Sequence, residues 1–458
     1  MLETAKNPID KVRQLQRRLW VCAKQSRTRR FHALYDRIHR SDVLWEAWKR
    51  VRSNKGAAGV DENTLRSIEE QGVLRFLEGI QADLKAGRYR PSPVKRRWIP
   101  KADGKQRPLG IPTVRDRVIQ MAAKLVIEPI FEADFQPSSY GFRPKKSATQ
   151  ALEAIREAGN RGCNFVVDAD IQGYFDNIQR ETLMELVKER ISDRRVLKII
   201  RQWLEAGVME DGTVRETLAG TPQGGVISPL LANIYLNKLD RIWAARCSQL
   251  GILVRYADDF VAMCHSESQA KEALRRIGLV MDRLGLKLHP EKTRMVDLRR
   301  GKESFTFLGC TLRKKRSILR NPRRHFMQRW PSPKAMKRIR ERIHELTDAR
   351  QSGKDVKQII AALNPVLRGW GNYFRSGNAH RKFHQLDDYV YTRLTQWMVR
   401  RGGQRTARKV EKWSHARFVG MGLYQLRGTV KYPAQATPGR SSLSRVQENC
   451  THGLKGGF

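Results

Sequence analysis

Two adjacent carboxylates, Asp258 and Asp259, lie in the run LVRYADDFV (Leu253–Val261), flanked on both sides by apolar stretches of β character. Neighbouring acids at a buried turn repel each other, and their pKa values climb unless a cation neutralises them. A hard, oxygen-seeking ion such as Mg2+ is the natural partner. The competing reading is an ordinary solvated Asp-Asp turn, which is the commoner outcome for the dipeptide alone. Apolar flanks in so basic a chain argue against it. A third acid is expected from a neighbouring strand. FVVDADIQGYF (Phe165–Phe175) offers Asp168 and Asp170, which strand alternation puts on one face.

An acid there, beside the 258–259 turn, completes a site for two metal ions. Such a pair can activate a primer 3′-oxygen and stabilise a pyrophosphate leaving group. Asp170 is the preferred ligand, because Tyr174-Phe175 follows at the right reach to pack under a nucleotide sugar. Asp168 is the fallback, and a solvated or capping role is its alternative. AGTPQGGVIS (Ala219–Ser228) is a Gly-rich turn entering a helix. Its glycines permit close backbone approach to a ligand, and Gln223 has the groups to bond a nucleotide. By itself the turn also reads as a plain connector.

The elements that position these residues follow from periodicity. Residues 9–52 predict two or three short basic helices, and NKGAAGVD (Asn54–Asp61) a Gly-rich loop. Residues 89–112 predict strands and turns with a hairpin tip at Asp103-Gly104, and 115–135 an apolar helix. From 163 to 263 short β-rich runs alternate with helices. Phe165–Ile171 is a strand, 182–188 and 196–206 are helical, and a helix opens at Ser228-Pro229 with serine as its cap. Ile252–Met263 forms a hairpin, followed by an amphipathic helix over 267–284. Beyond about residue 330 the pattern is helical, with Met336, Ile339, Ile343 and Leu346 at three-and-four spacing and further helices over 356–367 and 386–400. Little regular structure is expected after Pro433.

Charge points to the partner. The 458 residues include 89 Lys and Arg against 46 Asp and Glu, a net charge of +43. That excess favours a polyanion, above all nucleic acid, over a ribosomal-type scaffold or a membrane-surface protein. Residues 1–55 hold 15 basic and 5 acidic side chains, and 299–350 hold 17 and 4. Interleaved with apolar residues, these clusters suit folded surfaces that track a backbone rather than one basic tail. Six cysteines lie far apart without a C-x-x-C pair, which indicates neither a zinc knuckle nor a disulfide framework. No leader or membrane-spanning run is apparent, so a soluble bacterial cytoplasmic protein is expected, nucleoid-associated when acting on DNA.

Tyr256-Ala-Asp-Asp259, the strand ending at Asp170, Gly220–Gly225 and their order resemble reverse transcriptases. The finer spelling resembles the group II intron branch. It includes Tyr89–Arg117, SSYGFRP (Ser138–Pro144), GLKLHPEKT (Gly285–Thr293), FLG (Phe307–Gly309) and LNPVLRGWGNYFR (Leu363–Arg375), and Ala257 also suits that branch. The resemblance covers about residues 50–400. It implies an α+β right-hand polymerase: fingers and palm with an antiparallel sheet, then an all-helical thumb and maturase domain. The implied division is a basic helical extension over 1–60, fingers and palm over 61–310, thumb and maturase over 311–400, and a basic, DNA-binding tail over 401–458.

Carried over by position, the resemblance has Asp170, Asp258 and Asp259 hold two Mg2+ ions, with Mn2+ a possible substitute and the Ile171 carbonyl assisting. Lys101 and Arg107 on the finger hairpin contact the incoming triphosphate, and Gln223 lines the nucleotide pocket. Phe175, or alternatively Tyr174, sits under the sugar and excludes a 2′-hydroxyl, while Lys292 lies near the phosphates. Arg368, Trp370, Tyr373 and Arg375 suit contact with RNA backbone and bases, with helix packing as the alternative for the aromatics. The implied partners are group II intron RNA, an RNA template with a DNA primer, dNTPs and target DNA. The cysteine pairs of a His-Asn-His nuclease module are missing, so an endonuclease is not expected. Two other readings remain at this point: a maturase acting mainly through RNA binding, and a domesticated, CRISPR- or defence-associated reverse transcriptase.

Overall fold

In the computed structural model, residues 8–100, 106–210, 213–215, 224–316, 325–351, 353–401 and 413–431 are described. Their strands are β1 (Val94–Pro100), β2 (Gln106–Ile111), β3 (Phe165–Ala169), β4 (Val208–Glu210), β5 (Thr213–Arg215), β6 (Ile252–Tyr256), β7 (Asp259–Cys264), β8 (Arg294–Asp297), β9 (Ser304–Phe307), β10 (Cys310–Arg316) and β11 (His325–Pro331). They form three sheets, ordered β2-β1-β4-β5, β6-β7-β3-β8 and β11-β10-β9. The chain divides into two compact units, one of residues 1–146, 167–262 and 268–294, the other of 147–166, 263–267 and 295–458.

The first unit is organised around two helices that bury nearly every side. Val114–Glu132 carries Val118, Ile119, Ala122, Leu125 and Val126 at 0–1% exposure, the signature of a helix with no solvent face. Thr113 caps it, its hydroxyl oxygen accepting from the Asp116 amide at 3.0 Å. Helices Pro8–Gln25 and Ser41–Ser53 pack on it. The first of these inserts Val12, Leu15, Leu19 and Ala23 while leaving Arg13, Arg17, Arg18 and Lys24 exposed. Three-and-four spacing thus divides an apolar stripe from a basic face.

The second buried helix runs Ser228–Arg246. Ser228 is not its cap: Ile227 takes that position, and Pro229 lies in the first turn, where a missing amide proton costs nothing. β1 and β2 form the expected antiparallel hairpin, Pro100 facing Gln106. Its tip, with Lys101 and Asp103-Gly104, falls outside the described residues. β4 joins β1 in parallel.

In the second unit β9, β10 and β11 form an antiparallel sheet that periodicity did not announce. Helices Pro333–Leu346, Val356–Phe374 and His380–Arg401 follow. Val356–Phe374 runs past the expected end at 367, since Leu367, Gly371 and Phe374 continue its buried stripe. A capping box at Asp355 and Gln358 starts it. No helix of the described residues is long and apolar enough to cross a membrane. Among them Cys163, Cys247, Cys264 and Cys310 are buried free thiols. Burial pushes Cys264 and Cys310 up to about 12, so both stay protonated and chemically quiet.

Candidate active site

The β6–β7 hairpin carries the acid pair. Leu253, Val254 and Arg255 are buried in β6, and Phe260 to Cys264 in β7. Between these strands Ala257 takes the left-handed conformation at φ 59°, uncommon for a residue with a Cβ and sustained only where surroundings enforce it. Asp258 is half-buried and Asp259 exposed.

The enforcing group is Arg255, at 0% exposure. Its Nη1 donates to the Ala257 carbonyl at 2.8 Å and to Asn233 Oδ1 at 3.0 Å. Its Nε and Nη2 grip Asp240, whose carboxylate is also fully buried. A buried guanidinium needs such pairing to offset its desolvation. Although burial pulls the Arg255 pKa down, the Asp240 carboxylate outweighs it and the net direction is up. Both partners, Asn233 and Asp240, stand on the helix Ser228–Arg246.

SSYGFRP closes the turn from the other side. The Arg255 amide donates to the Ser138 carbonyl and the Tyr140 amide to the Arg255 carbonyl, each at 2.8 Å. Asn233 Nδ2 donates to the Gly141 carbonyl at 2.8 Å. A Cβ on Gly141 would stand 2.3 Å from the Ala257 nitrogen, so only glycine lets the two backbones meet. The sequence reading missed Arg255, Asp240, Asn233 and Gly141. One signal was available: Arg255 is a lone cation at a strand position that alternation buries, and a buried charge demands a partner.

β3 lies beside β7 in its sheet, and Asp170 follows β3 directly. Lys292 Nζ sits 3.0 Å from Asp170 Oδ2, and Arg294 Nε 3.4 Å from Asp168 Oδ2. Burial pushes the Asp168 carboxyl up and the Asp170 charge adds to this, while Arg294 works against both. The Asp170 carbonyl accepts from the His289 amide at 2.8 Å, and the Gln172 amide donates to Lys287. These bonds flank Ile171, which bridges Leu288, without using the Ile171 carbonyl. The field of Asp258 reaches Tyr174: burial first, and that carboxylate as well, push its phenol far up.

Among the described residues no three His, Cys, Asp or Glu side chains stand together closely enough to hold a metal ion. The donors are nevertheless of the right kind for a hard divalent cation, being carboxylate oxygens carried by adjacent strands. Asp170 already draws a cation, the Lys292 ammonium.

Tyr174 and Phe175 separate cleanly. The Tyr174 ring is 3% exposed, and its hydroxyl donates to the Ala232 carbonyl at 2.6 Å. Phe175 packs edge-on against it at 5.3 Å and stays half-buried, which leaves it the ring with a reachable face. Gln223 falls outside the described residues, and of Arg107 the backbone alone is described, opposite Ile99. Nearby, Gly224 is left-handed at φ 113°, and a Cβ there would meet the Gly110 carbonyl at 2.3 Å. That glycine serves contact with β2.

In the second unit Arg368 is exposed and lies over the Tyr424 ring at 5.3 Å. Trp370 is half-buried between Phe374 and Phe383, at 4.7 and 5.6 Å. Tyr373 is 37% exposed and donates to the Leu308 carbonyl at 2.9 Å, and Arg375 is half-buried. Trp370 is thus a packing residue, whereas Arg368 and Tyr373 present surface. Asn364 bonds Gly422 and Tyr424, and Asp387, on the helix His380–Arg401, accepts from the amides of Leu426 and Arg427, so the segment 422–427 is tied to this motif and to the helix that follows it.

Residues 99–312 match the family described as "Reverse transcriptase (RNA-dependent DNA polymerase)", and 336–415 match "Group II intron, maturase-specific domain". Protein YkfC of Escherichia coli (strain K12) is 34% identical over 344 residues, which is 67% of this chain and 89% of that protein. Group II intron-encoded protein LtrA of Lactococcus lactis subsp. cremoris is 41% identical over 215 residues, 46% of this chain and 35% of LtrA. A 91 kDa protein in the cob intron of Schizosaccharomyces pombe is 28% identical over 433 residues, 78% of this chain and 52% of that one. The chain therefore spans about a third of LtrA and half of the cob intron protein.

Proposed function

This chain belongs to the reverse transcriptases that carry a group II intron maturase domain, and from that premise we propose that it copies RNA into DNA and binds intron RNA to assist splicing and retrohoming. One observation carries the polymerase reading: Asp170 directly follows β3 and the Asp258–Asp259 turn leads into β7, the strand beside it in one sheet, with the turn braced by a buried ion pair. An enzyme gains rate by fixing such groups before the substrate arrives.

Divalent-metal dependence follows from the reverse transcriptase family. In this reading Asp170, Asp258, Asp259 and the Ile171 carbonyl would draw together to hold two Mg2+ ions, or Mn2+ in their place. The chemistry supplied by metal bound there would be a lowered pKa of the primer hydroxyl and neutralised charge on the leaving pyrophosphate. The chain's own residues supply the rest. Arg255 keeps Asp258 and Asp259 presented by holding Ala257. Phe175 offers its free face to the sugar, and Tyr174 fixes that ring from behind. Lys292 exchanges its Asp170 partner for substrate phosphate, while Lys101, Arg107 and Gln223 serve the incoming dNTP. Arg368 and Tyr373 contact RNA, with Arg375 adding charge and Trp370 supporting them. Residues 61–310 act as fingers and palm, 311–400 as thumb and maturase domain, and the extension 1–60 and tail 401–458 as basic arms for RNA and target DNA.

The test is primer extension on a poly(rA) template with Mg2+. Asp258→Ala and Asp259→Ala should each abolish extension while leaving intron RNA affinity nearly unchanged. Near-normal extension by either would refute the assignment of the acids.

A further inference from the structure

SSYGFRP does more than brace the acid turn, because it presents Phe142. This ring is 53% exposed, and its backbone is left-handed at φ 55°. A bulky residue in that region is a genuine outlier, and such strain persists only where the surroundings over-determine it. Both flanks do so. Gly141 is pinned between Asn233 Nδ2 and the backbone of Tyr256 and Ala257. Arg143 is 8% exposed, binds both oxygens of Glu132, and donates to the carbonyls of Gln136 and Ser139 at 2.6 and 2.7 Å. Between two locked neighbours, an exposed ring is held in an unfavourable conformation with no core to fill.

Its position indicates a use. The Phe142 ring lies 6.4 Å from that of Tyr256, tilted by 44°, and Tyr256 stands two residues before Asp258. Lys145 is exposed and also left-handed at φ 60°, and Lys146 stands over the Tyr140 ring at 4.9 Å. Aromatic faces with cations alongside are the usual arrangement for a nucleotide, base on ring and phosphate on ammonium. We propose that Phe142 and Tyr256 form an aromatic step that contacts the 3′-terminal nucleotide of the primer, with Lys145 on its backbone phosphate. This rests on the polymerase reading, which brings a primer end to the Asp258–Asp259 turn.

The test uses the full chain and an RNA template annealed to a dideoxy-terminated DNA primer bearing 2-aminopurine as its last base. Phe142→Ala should weaken binding about five-fold or more and lose the fluorescence change that the parent produces, and Phe142→Trp should restore both. Phe142→Gly should lose primer affinity while its thermal midpoint holds or rises, because glycine adopts φ 55° without strain. Parent-like binding and fluorescence in Phe142→Ala would overturn the proposal. So would a lowered midpoint in Phe142→Gly, which would make the ring a packing residue. Extension of an ordinary primer by the parent is measured alongside. If the parent extends while Phe142→Ala binds normally, the aromatic step alone fails. If the parent does not extend, the polymerase reading fails by its own measurement.

Discussion

The Arg255–Asp240 pair permits a prediction in which stability and activity part company. Arg255 donates from Nε to both Asp240 oxygens, at 2.9 and 3.1 Å, and again from Nη2, with both side chains at 0% exposure. Removing either partner leaves an unpaired buried charge, which costs about 3–5 kcal/mol. Global stability of a domain is only about 5–15 kcal/mol, so Arg255→Met or Asp240→Leu should each remove roughly a fifth of it or more. The double variant exchanges the ion pair for apolar groups of similar volume, which is often close to neutral. A double-mutant cycle should therefore show coupling of roughly 3 kcal/mol or more. Primer extension should not recover with stability, because the double variant still lacks the donor at the Ala257 carbonyl, 2.8 Å from Nη1. Urea unfolding followed by circular dichroism gives the stabilities, and extension on an RNA template gives the activity. Single variants costing under about 1 kcal/mol would refute the burial argument. A double variant that regains full extension would show that Arg255 does not hold the turn.

Phe175→Ala should let ribonucleotides compete with dNTPs, since it removes the half-buried ring backed by Tyr174; unchanged discrimination in competition assays would move that role elsewhere. Arg368→Ala together with Arg375→Ala should weaken intron RNA binding and lower the log–log salt slope by about 0.7–0.9 for each phosphate no longer neutralised; an unchanged slope would make the segment structural. Burial pushes the Asp116 carboxyl up despite hydrogen bonds from the Tyr89 and Thr113 hydroxyls at 2.6 and 2.7 Å. The native state then holds this proton more tightly than the unfolded chain, so stability falls as pH rises from the ordinary aspartate range to the raised native value. Asp116→Asn should flatten that slope in urea titrations at a series of pH values, and an identical pH dependence would reject it.

Local chemistry was legible in the chain itself. The acid turn, the β1–β2 hairpin and the helices over 114–132, 228–246 and 267–283 are encoded by residues close in sequence, where period and turn type suffice. The charge excess and the motif spelling pointed to nucleic acid and to the family for the same reason, since neither depends on distant packing. Element ends moved where a buried stripe continued, as Leu367, Gly371 and Phe374 carry the helix from 356 on to 374. The β9–β11 sheet escaped notice because Cys310–Arg316 is rich in Lys and Arg. Only pairing with β9 and β11 makes that stretch a strand.

What tertiary structure alone decided is which residues stand together. Asp240 and Asn233 face Arg255 because a helix 19 residues long packs against β6, and no periodicity reveals a partner across that interface. Gly141 matters through its approach to Ala257, which is remote from it in sequence. Tyr174 and Phe175 are neighbours of similar chemistry, and burial of Tyr174 leaves Phe175 the more exposed ring. Sequence determines what each residue can do, but desolvation and distance, which choose among the candidates, exist only once the chain has packed.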